Sequence, residues 1–267
     1  MANPVCLSPL KFYDDISKQS HRKTFAYEHI SPVICKLHSV IPFQFVLPTA
    51  ANINSIYVRN TDDSRITGNV LSLFTESGLT VSSVSGYNVV SYPGIYPVLN
   101  TLSEGNYYLE MNFSNGLVYY SEIFCFDNSY SEYLELEYWN KAGNLFIKNG
   151  IVSFDNDFHF YIILDTEIGK PEYTFEEEGT KRLGYTFIES QVSKKTYKFN
   201  SVLPEFMCDA MRIIRMCDNR IVKSKNDEYE AITFEMDVEW QAQGDLASVT
   251  CEFETDNVMT NFGSFQV

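Results

Sequence analysis

The chain has 267 residues, 45% of them hydrophobic and 15% aromatic, with a formal net charge of −15. That length and composition suit one large or two ordinary folded domains and exclude a disordered chain. The acidity disfavours nucleic acid and anionic membrane as partners, and no apolar run nears the roughly 20 residues that cross a bilayer.

The opening Met1-Ala-Asn-Pro-Val-Cys-Leu-Ser-Pro-Leu10 lacks the charged start and continuous apolar stretch of a secretory signal, so folding in the cytoplasm is expected. Residues 1–30 hold few periodic apolar positions but include the basic cluster Lys18-Gln-Ser-His-Arg-Lys-Thr24. They read as an N-terminal arm that packs on a neighbour through Lys18, Arg22 and Lys23, or as a meandering first strand.

From residue 31 to 127 short strands alternate with turn signals, as in a β-sandwich. Ile41-Pro-Phe-Gln-Phe-Val-Leu-Pro48 and Ile53-Asn-Ser-Ile-Tyr-Val-Arg59 are followed by the turn-rich Asn60-Thr-Asp-Asp-Ser64. Leu79-Thr-Val-Ser-Ser-Val84 and Tyr87-Asn-Val-Val-Ser-Tyr92 flank Ser85-Gly86, a hairpin signal. Residues 105–126 hold two Tyr-Tyr pairs on either side of Asn115-Gly116, which predicts a hairpin with a type I′ turn. Strict alternation puts one ring of each pair toward a core and one outward, as in the last hairpin of an immunoglobulin-like or fibronectin-like sandwich.

A polar linker around residues 127–131 leads into a second domain, 128–267, predicted to be α+β with a mostly antiparallel sheet. Residues 1–127 carry 7 Lys+Arg against 10 Asp+Glu and residues 128–267 carry 13 against 25, net charges of −3 and −12. Tyr133-Leu-Glu-Leu-Glu-Tyr138, Phe158-His-Phe-Tyr-Ile-Ile-Leu164 and Lys195-Thr-Tyr-Lys-Phe199 read as strands. Glu176-Glu-Glu178 with Lys181 and Arg182 reads as a charged loop tip. One main helix is predicted over about 204–218, with Phe206, Ala210, Ile214 and Cys217 on its apolar stripe. Glu230-Ala-Ile-Thr-Phe-Glu-Met-Asp-Val-Glu-Trp240 and Ala247-Ser-Val-Thr-Cys-Glu-Phe-Glu254 alternate cleanly on either side of a turn at 243–245.

Catalytic motifs are scarce. There is no Gly-x-Ser-x-Gly elbow, phosphate-cradling glycine loop or His-Glu-x-x-His, so an enzyme is not expected and no cofactor is implied. The six cysteines lack the paired spacing of a zinc site and read as free and buried. Asp155-Asn-Asp-Phe-His159 is the one place where oxygen and nitrogen ligands alternate. Asp155, Asp157 and His159 on one face of an extended segment would present three ligands to an ion, against the plainer reading of a polar turn. Glu132, Glu135, Glu137, Glu235, Asp237 and Glu239 read as an acidic sheet surface.

Four phrases carry a resemblance: Ser8-Pro-Leu-Lys-Phe-Tyr-Asp-Asp15 with His21-Arg-Lys23; Gly169-Lys-Pro-Glu-Tyr-Thr-Phe-Glu-Glu-Glu-Gly179; Leu203-Pro-Glu-Phe-Met-Cys-Asp-Ala-Met-Arg-Ile-Ile-Arg215; and Trp240-Gln-Ala-Gln-Gly-Asp-Leu-Ala-Ser-Val249. Together they resemble a family of uncharacterised virion structural proteins, of tail or baseplate type, from tailed bacteriophages and prophages of gut anaerobic bacteria. The resemblance implies a virion component assembled in the host bacterial cytoplasm, with other virion proteins as partners and no active site to carry over.

The leading expectation is therefore a distal-tail or connector-like subunit that forms a homo-oligomeric ring, without specific nucleic-acid or membrane binding. The alternative is a binding module that recognises glycan or a host-surface protein through the outward rings Tyr87, Tyr92, Tyr96, Tyr108 and Tyr120. A third expectation, a metal-assisted hydrolase, uses Asp155, Asp157 and His159.

Overall fold

The computed structural model describes residues 5–20, 33–94, 96–141, 143–182, 185–225, 227–240, 246–255 and 259–262. His21, Arg22, Lys23, His29 and the predicted turn at 243–245 lie outside them. The fold is mainly β, with antiparallel sheets and one main helix.

The first half contains nine strands: β1 (Phe12–Tyr13), β2 (Val33–Lys36), β3 (Phe43–Leu47), β4 (Ile53–Asn60), β5 (Thr80–Val84), β6 (Tyr87–Tyr92), β7 (Gly105–Phe113), β8 (Val118–Ser121) and β9 (Phe124–Asp127). One sheet runs β3-β6-β5. The other runs β1-β8-β7-β9-β2, with β4 on the far edge of β7. Strands β8 and β9 together form the single return strand beside β7, so three strands face β4, β7 and this return strand. That is the order of an immunoglobulin-like sandwich. Strand β2 adds to β9 in parallel.

Two hairpins illustrate how local residues set the turn. Ser85 (φ 49°) and Gly86 (φ 85°) both take positive φ and close the two-residue loop between β5 and β6. At the other hairpin only Gly116 (φ 81°) does so. Gly116 N donates to Phe113 O at 3.0 Å and Phe113 N donates to Leu117 O at 2.9 Å, which makes a three-residue loop closed by a glycine bulge. The expected type I′ turn is corrected accordingly, because Asn115 stays at negative φ.

The strict alternation predicted beyond that turn also breaks. Tyr119 points into the core from β8, yet Phe124 and Phe126 point into it from β9, so the inward parity changes at Glu122 and Ile123. The cause is Glu122, a buried carboxylate. It accepts from Tyr13 Oη at 2.9 Å, Ser20 N at 2.7 Å and Ile123 N at 3.1 Å, and its own N–H donates to Lys11 O at 2.7 Å. A residue held there by the N-terminal segment adds one position to the strand, as a bulge does.

That segment is not an arm over residues 5–20. Phe12 is fully buried against Phe43 and Phe45, Val5 bridges to Val46, and Gln19 donates to Ser121 O. Leu10 and Phe12 belong to the sandwich core, which favours the first-strand reading for this stretch. A short helix, α1 (Leu71–Glu76), was not predicted; its Phe74 is buried against Tyr92.

The second half adds β10 (Leu134–Trp139), β11 (Asn144–Ile147), β12 (Gly150–Ser153), β13 (Phe160–Leu164), β14 (Glu172–Arg182), β15 (Tyr185–Pro204), α2 (Glu205–Met211), β16 (Asn219–Lys223), β17 (Glu228–Glu230), β18 (Glu235–Trp240), β19 (Leu246–Glu254) and β20 (Met259–Phe262). Strands β13-β10-β16-β17 make one sheet and β14-β15-β19-β18 another, with β20 on the far edge of β15. Helix α2 is shorter than predicted and continues as a 3-10 turn at Ile214–Met216, but Phe206, Ala210, Ile214 and Cys217 are all buried as expected. The predicted charged loop tip at 176–182 is instead part of the eleven-residue strand β14. Its opening Glu-Tyr-Thr-Phe-Glu already alternates, and each residue from 172 to 178 finds a partner on β15.

One buried cluster runs from Leu10 to Phe253 and includes side chains from both halves. Gln44 fastens the join: its amide donates to Ser153 O at 2.7 Å and accepts from Ser153 N at 2.9 Å. Strand β3 is thus buried on both faces, not one. Gly94, beside this join, has φ 65°, and a Cβ there would stand 2.8 Å from Pro42 N and 2.9 Å from Val40 O. Gly94→Ala is therefore expected to cost about 2 kcal/mol from backbone strain and crowding, read as a lower urea midpoint.

Candidate functional site

Beside Gly94 lies the most chemically loaded cleft, about 430 Å³, lined by Lys36 and Ser39 from the sandwich and by Glu135, Glu137, Asp157, His159, Tyr161 and Lys223 from the second half. Strict alternation in β10 buries Leu134, Leu136 and Tyr138 and turns Glu135 and Glu137 to the cleft. The register of β10 with β16 sets Glu135 opposite Lys223, and that with β13 sets Glu137 opposite Tyr161.

The charges close on one another in a chain. Lys36 Nζ is 2.7 Å from Glu135 Oε2, Lys223 is shared between Glu135 and Glu137, and His159 Nδ1 lies 2.8 Å from Glu137 Oε1. The His159 ring stacks on Trp139 at 4.1 Å, and Lys36 sits 4.8 Å over the Tyr161 ring. Burial alone would raise the Glu137 carboxyl, but the bonds from Lys223 and His159 outweigh it and hold the group below its ordinary value. Burial likewise works against the charge on Lys223, and Glu137 and Glu135 overcome it and hold the ammonium above its ordinary value. Glu135 and Glu137 thus share the polar face of β10, as expected of an acidic sheet surface, but lysines pair with both, and Lys36 ties Glu135 to the sandwich. Lys223→Met is expected to raise the Glu137 pKa, since burial then acts with less opposition, and NMR titration of its carboxyl carbon reads the change.

Asp157 and His159 reach this cleft, and Asp155 does not line it. The extended segment supposed for a three-ligand site is a turn, with Asn156 at φ 59° and Asp157 at φ 54°, so Asp155 does not join the other two. Among the described residues no three His, Cys, Asp or Glu side chains are grouped to hold a metal ion. All six cysteines are free, and burial pushes Cys208 up to about 11 and Cys217 and Cys251 up to about 12. Such thiols are poor nucleophiles.

The aromatic platform predicted for a ligand also changes. Tyr92 is fully buried against Phe43 and Phe74. Tyr108 faces out of the sandwich yet is covered: its hydroxyl donates to Asp63 Oδ1 at 2.8 Å and its ring meets Tyr120 edge-on. Tyr87 is half-buried against the small cluster of Val46, Val89 and Ile151, and Tyr120 is half-buried too. Only Tyr96, 60% exposed, stands free of the core. Lys18 is held within the chain by Asp14.

The exposed aromatic surface lies elsewhere. Strand pairing puts Tyr173, Phe175, Lys195, Tyr197, Phe253 and Met259 on one face of the β14-β15-β19 sheet, because Tyr173 opposes Lys195, Phe175 and Met259 oppose Ser193, and Tyr197 opposes Phe253. Over the body this face is core: Tyr229 of β17 covers Tyr197 and Phe253. Farther out the same face carries Tyr173, Phe175 and Met259 at 61%, 70% and 68% exposure. The opposite face is a closed ladder in which Lys194 meets Glu176 and Glu254 and Lys198 meets Glu172 and Glu252. β14, β15 and β20 thus form an arm whose core-side face continues past the core.

No protein-family model matches the chain, and no curated protein matches it either. The functional reading therefore rests on this geometry and on the resemblance carried by the sequence. Sequence reasoning missed both the ion-pair chain and the arm. The arm had a legible signal in Glu172-Tyr-Thr-Phe-Glu176; the ion-pair chain had none, since Lys223 lies 86 residues from Glu137.

Proposed function

We propose that this chain is a structural subunit of a phage virion, of the tail or baseplate and distal-tail or connector-like, that forms a ring through contacts between its copies and with other virion proteins. The observation that carries the reading is the uncovered aromatic face of the β14-β15-β20 arm. A sheet face built from Tyr173, Phe175 and Met259 leaves apolar area in water, and such area beyond a domain core is characteristic of an interaction surface. The polar cleft supports the same reading, because Glu135, Glu137 and Lys223 are paired with one another and Lys36 ties them to the sandwich. Work by contact is in keeping with the resemblance to virion structural proteins.

The test is the state of the chain in solution. Sedimentation is expected to show mass rising with concentration, and negative-stain microscopy to show closed rings. A chain that stays monomeric at every concentration overturns the ring.

A further inference from the structure

We propose that a second copy of this chain covers the aromatic face of the arm, seating its β11–β12 hairpin there; the inference rests on the reading of the chain as a self-assembling subunit. The arm offers Tyr173, Phe175 and Met259 with Glu177 next on the same face, and Glu176 and Glu178 alongside in β14. Lys195, at the body end of that face, is occupied over the Tyr197 ring at 5.0 Å. Beside the aromatic rings, β14 thus carries three acids in a row, of which Glu176 is held by Lys194 on the opposite face.

Two arms do not pair with each other. Strand β14 has no second neighbour among the described residues, but antiparallel pairing of two copies about its centre sets Glu176–Glu178 against the same three acids. Like charges directly opposite across strands are repelled, and charged edges of this kind discourage self-pairing. The occupant must bring apolar surface and positive charge together.

The β11–β12 hairpin does so. Phe146 on β11 is 67% exposed, and Lys141 and Lys148, both exposed, bracket that strand. Neither lysine is held by a carboxylate of its own chain among the described residues. Phe146 against Phe175, with Lys148 or Lys141 on Glu177, gives a contact with an aromatic centre and a charged rim. The two patches differ, so the contact is heterologous: each copy donates an arm and receives one, which closes a ring when the rotation allows.

Disulfide trapping tests the pairing in the full chain. Phe146→Cys and Phe175→Cys variants, mixed and mildly oxidised, are expected to give a dimer that neither variant gives alone and that exceeds the native chain's own background. A dimer of Phe175→Cys with itself overturns the proposal in favour of arm–arm contact. No trapped dimer from the mixture, while the native chain still self-associates by sedimentation, overturns this pairing and leaves the assembly reading standing. A monomeric native chain overturns both. Phe146→Asp and Phe175→Asp, both at exposed positions, are each expected to weaken self-association about 30-fold without moving the unfolding midpoint. Lys148→Glu is expected to weaken it as well, and Glu177→Lys in the same chain to restore it.

Discussion

Phe45→Ala is expected to lower the unfolding free energy by about 3–5 kcal/mol, the range for deleting a buried phenylalanine ring. Phe45 lies in β3 at 1% exposure and links the two sheets of the sandwich. Its ring centroid is 4.5 Å from Phe12, 5.9 Å from Tyr119 and 6.5 Å from Phe113, the last two edge-on. Those partners belong to β1, β8 and β7, so the cavity opens where the sheets meet and no single strand can shift to fill it. Urea unfolding should show a lower midpoint at an unchanged slope. Phe175→Ala supplies the contrast. The same chemical deletion at a ring 70% exposed on the arm should fall within about 0.5 kcal/mol of the native chain. Equal losses at the two positions would show that Phe45 is not the joint described.

The contrast between these two phenylalanines also marks how far the sequence could be read. Alternation identified Phe43 and Phe45 as one face of a strand, and the same rule applied to Tyr173 and Phe175 identifies another. Periodicity reports which side chains share a face. It does not report whether anything lies against that face, and this depends on β17 ending its cover at Tyr229. Local turn chemistry was legible where the backbone need was local, as at Ser85-Gly86, and misread at Asn115-Gly116, where only the glycine takes positive φ. The parity change at Glu122 was illegible because one partner of that carboxylate, Tyr13, lies 109 residues away. Helix α1 has too few turns for its apolar spacing to stand out. In the cleft, Glu135 and Glu137 were recognised as one face of a strand; that Lys223 and Lys36 would meet them required the sheet order. Tyr92 was placed outward, and Tyr108, which does face outward, was taken as open, because the side chains that cover them come from other elements.

The second large expected effect concerns the outer face of the sandwich. Glu110 of β7, 2% exposed, receives Arg59 and Arg65 together with Asn112 Nδ2 at 3.1 Å, and Arg65 also lies 4.0 Å over the Tyr57 ring. Glu110→Gln keeps the shape and removes the charge, leaving two guanidinium groups against a neutral amide. Breaking a buried pair from one side costs roughly 3–5 kcal/mol, and because the Arg65 side chain is 46% exposed the lower end, about 3 kcal/mol, is expected at pH 7. The loss should depend on pH in a definite direction. Burial alone would raise the Glu110 carboxyl, but the bonds from Arg65, Asn112 and Arg59 outweigh it and hold the folded value below the ordinary 4.5. Between that folded value and 4.5 the unfolded chain binds more protons, so the contribution is complete above 4.5 and is lost as pH falls through the folded value. Native and Glu110→Gln chains, unfolded by urea at a series of pH values, should therefore differ by a constant amount above pH 5 and converge in acid. A difference that persists unchanged into acid would mean that the glutamate acts by packing and not by its charge.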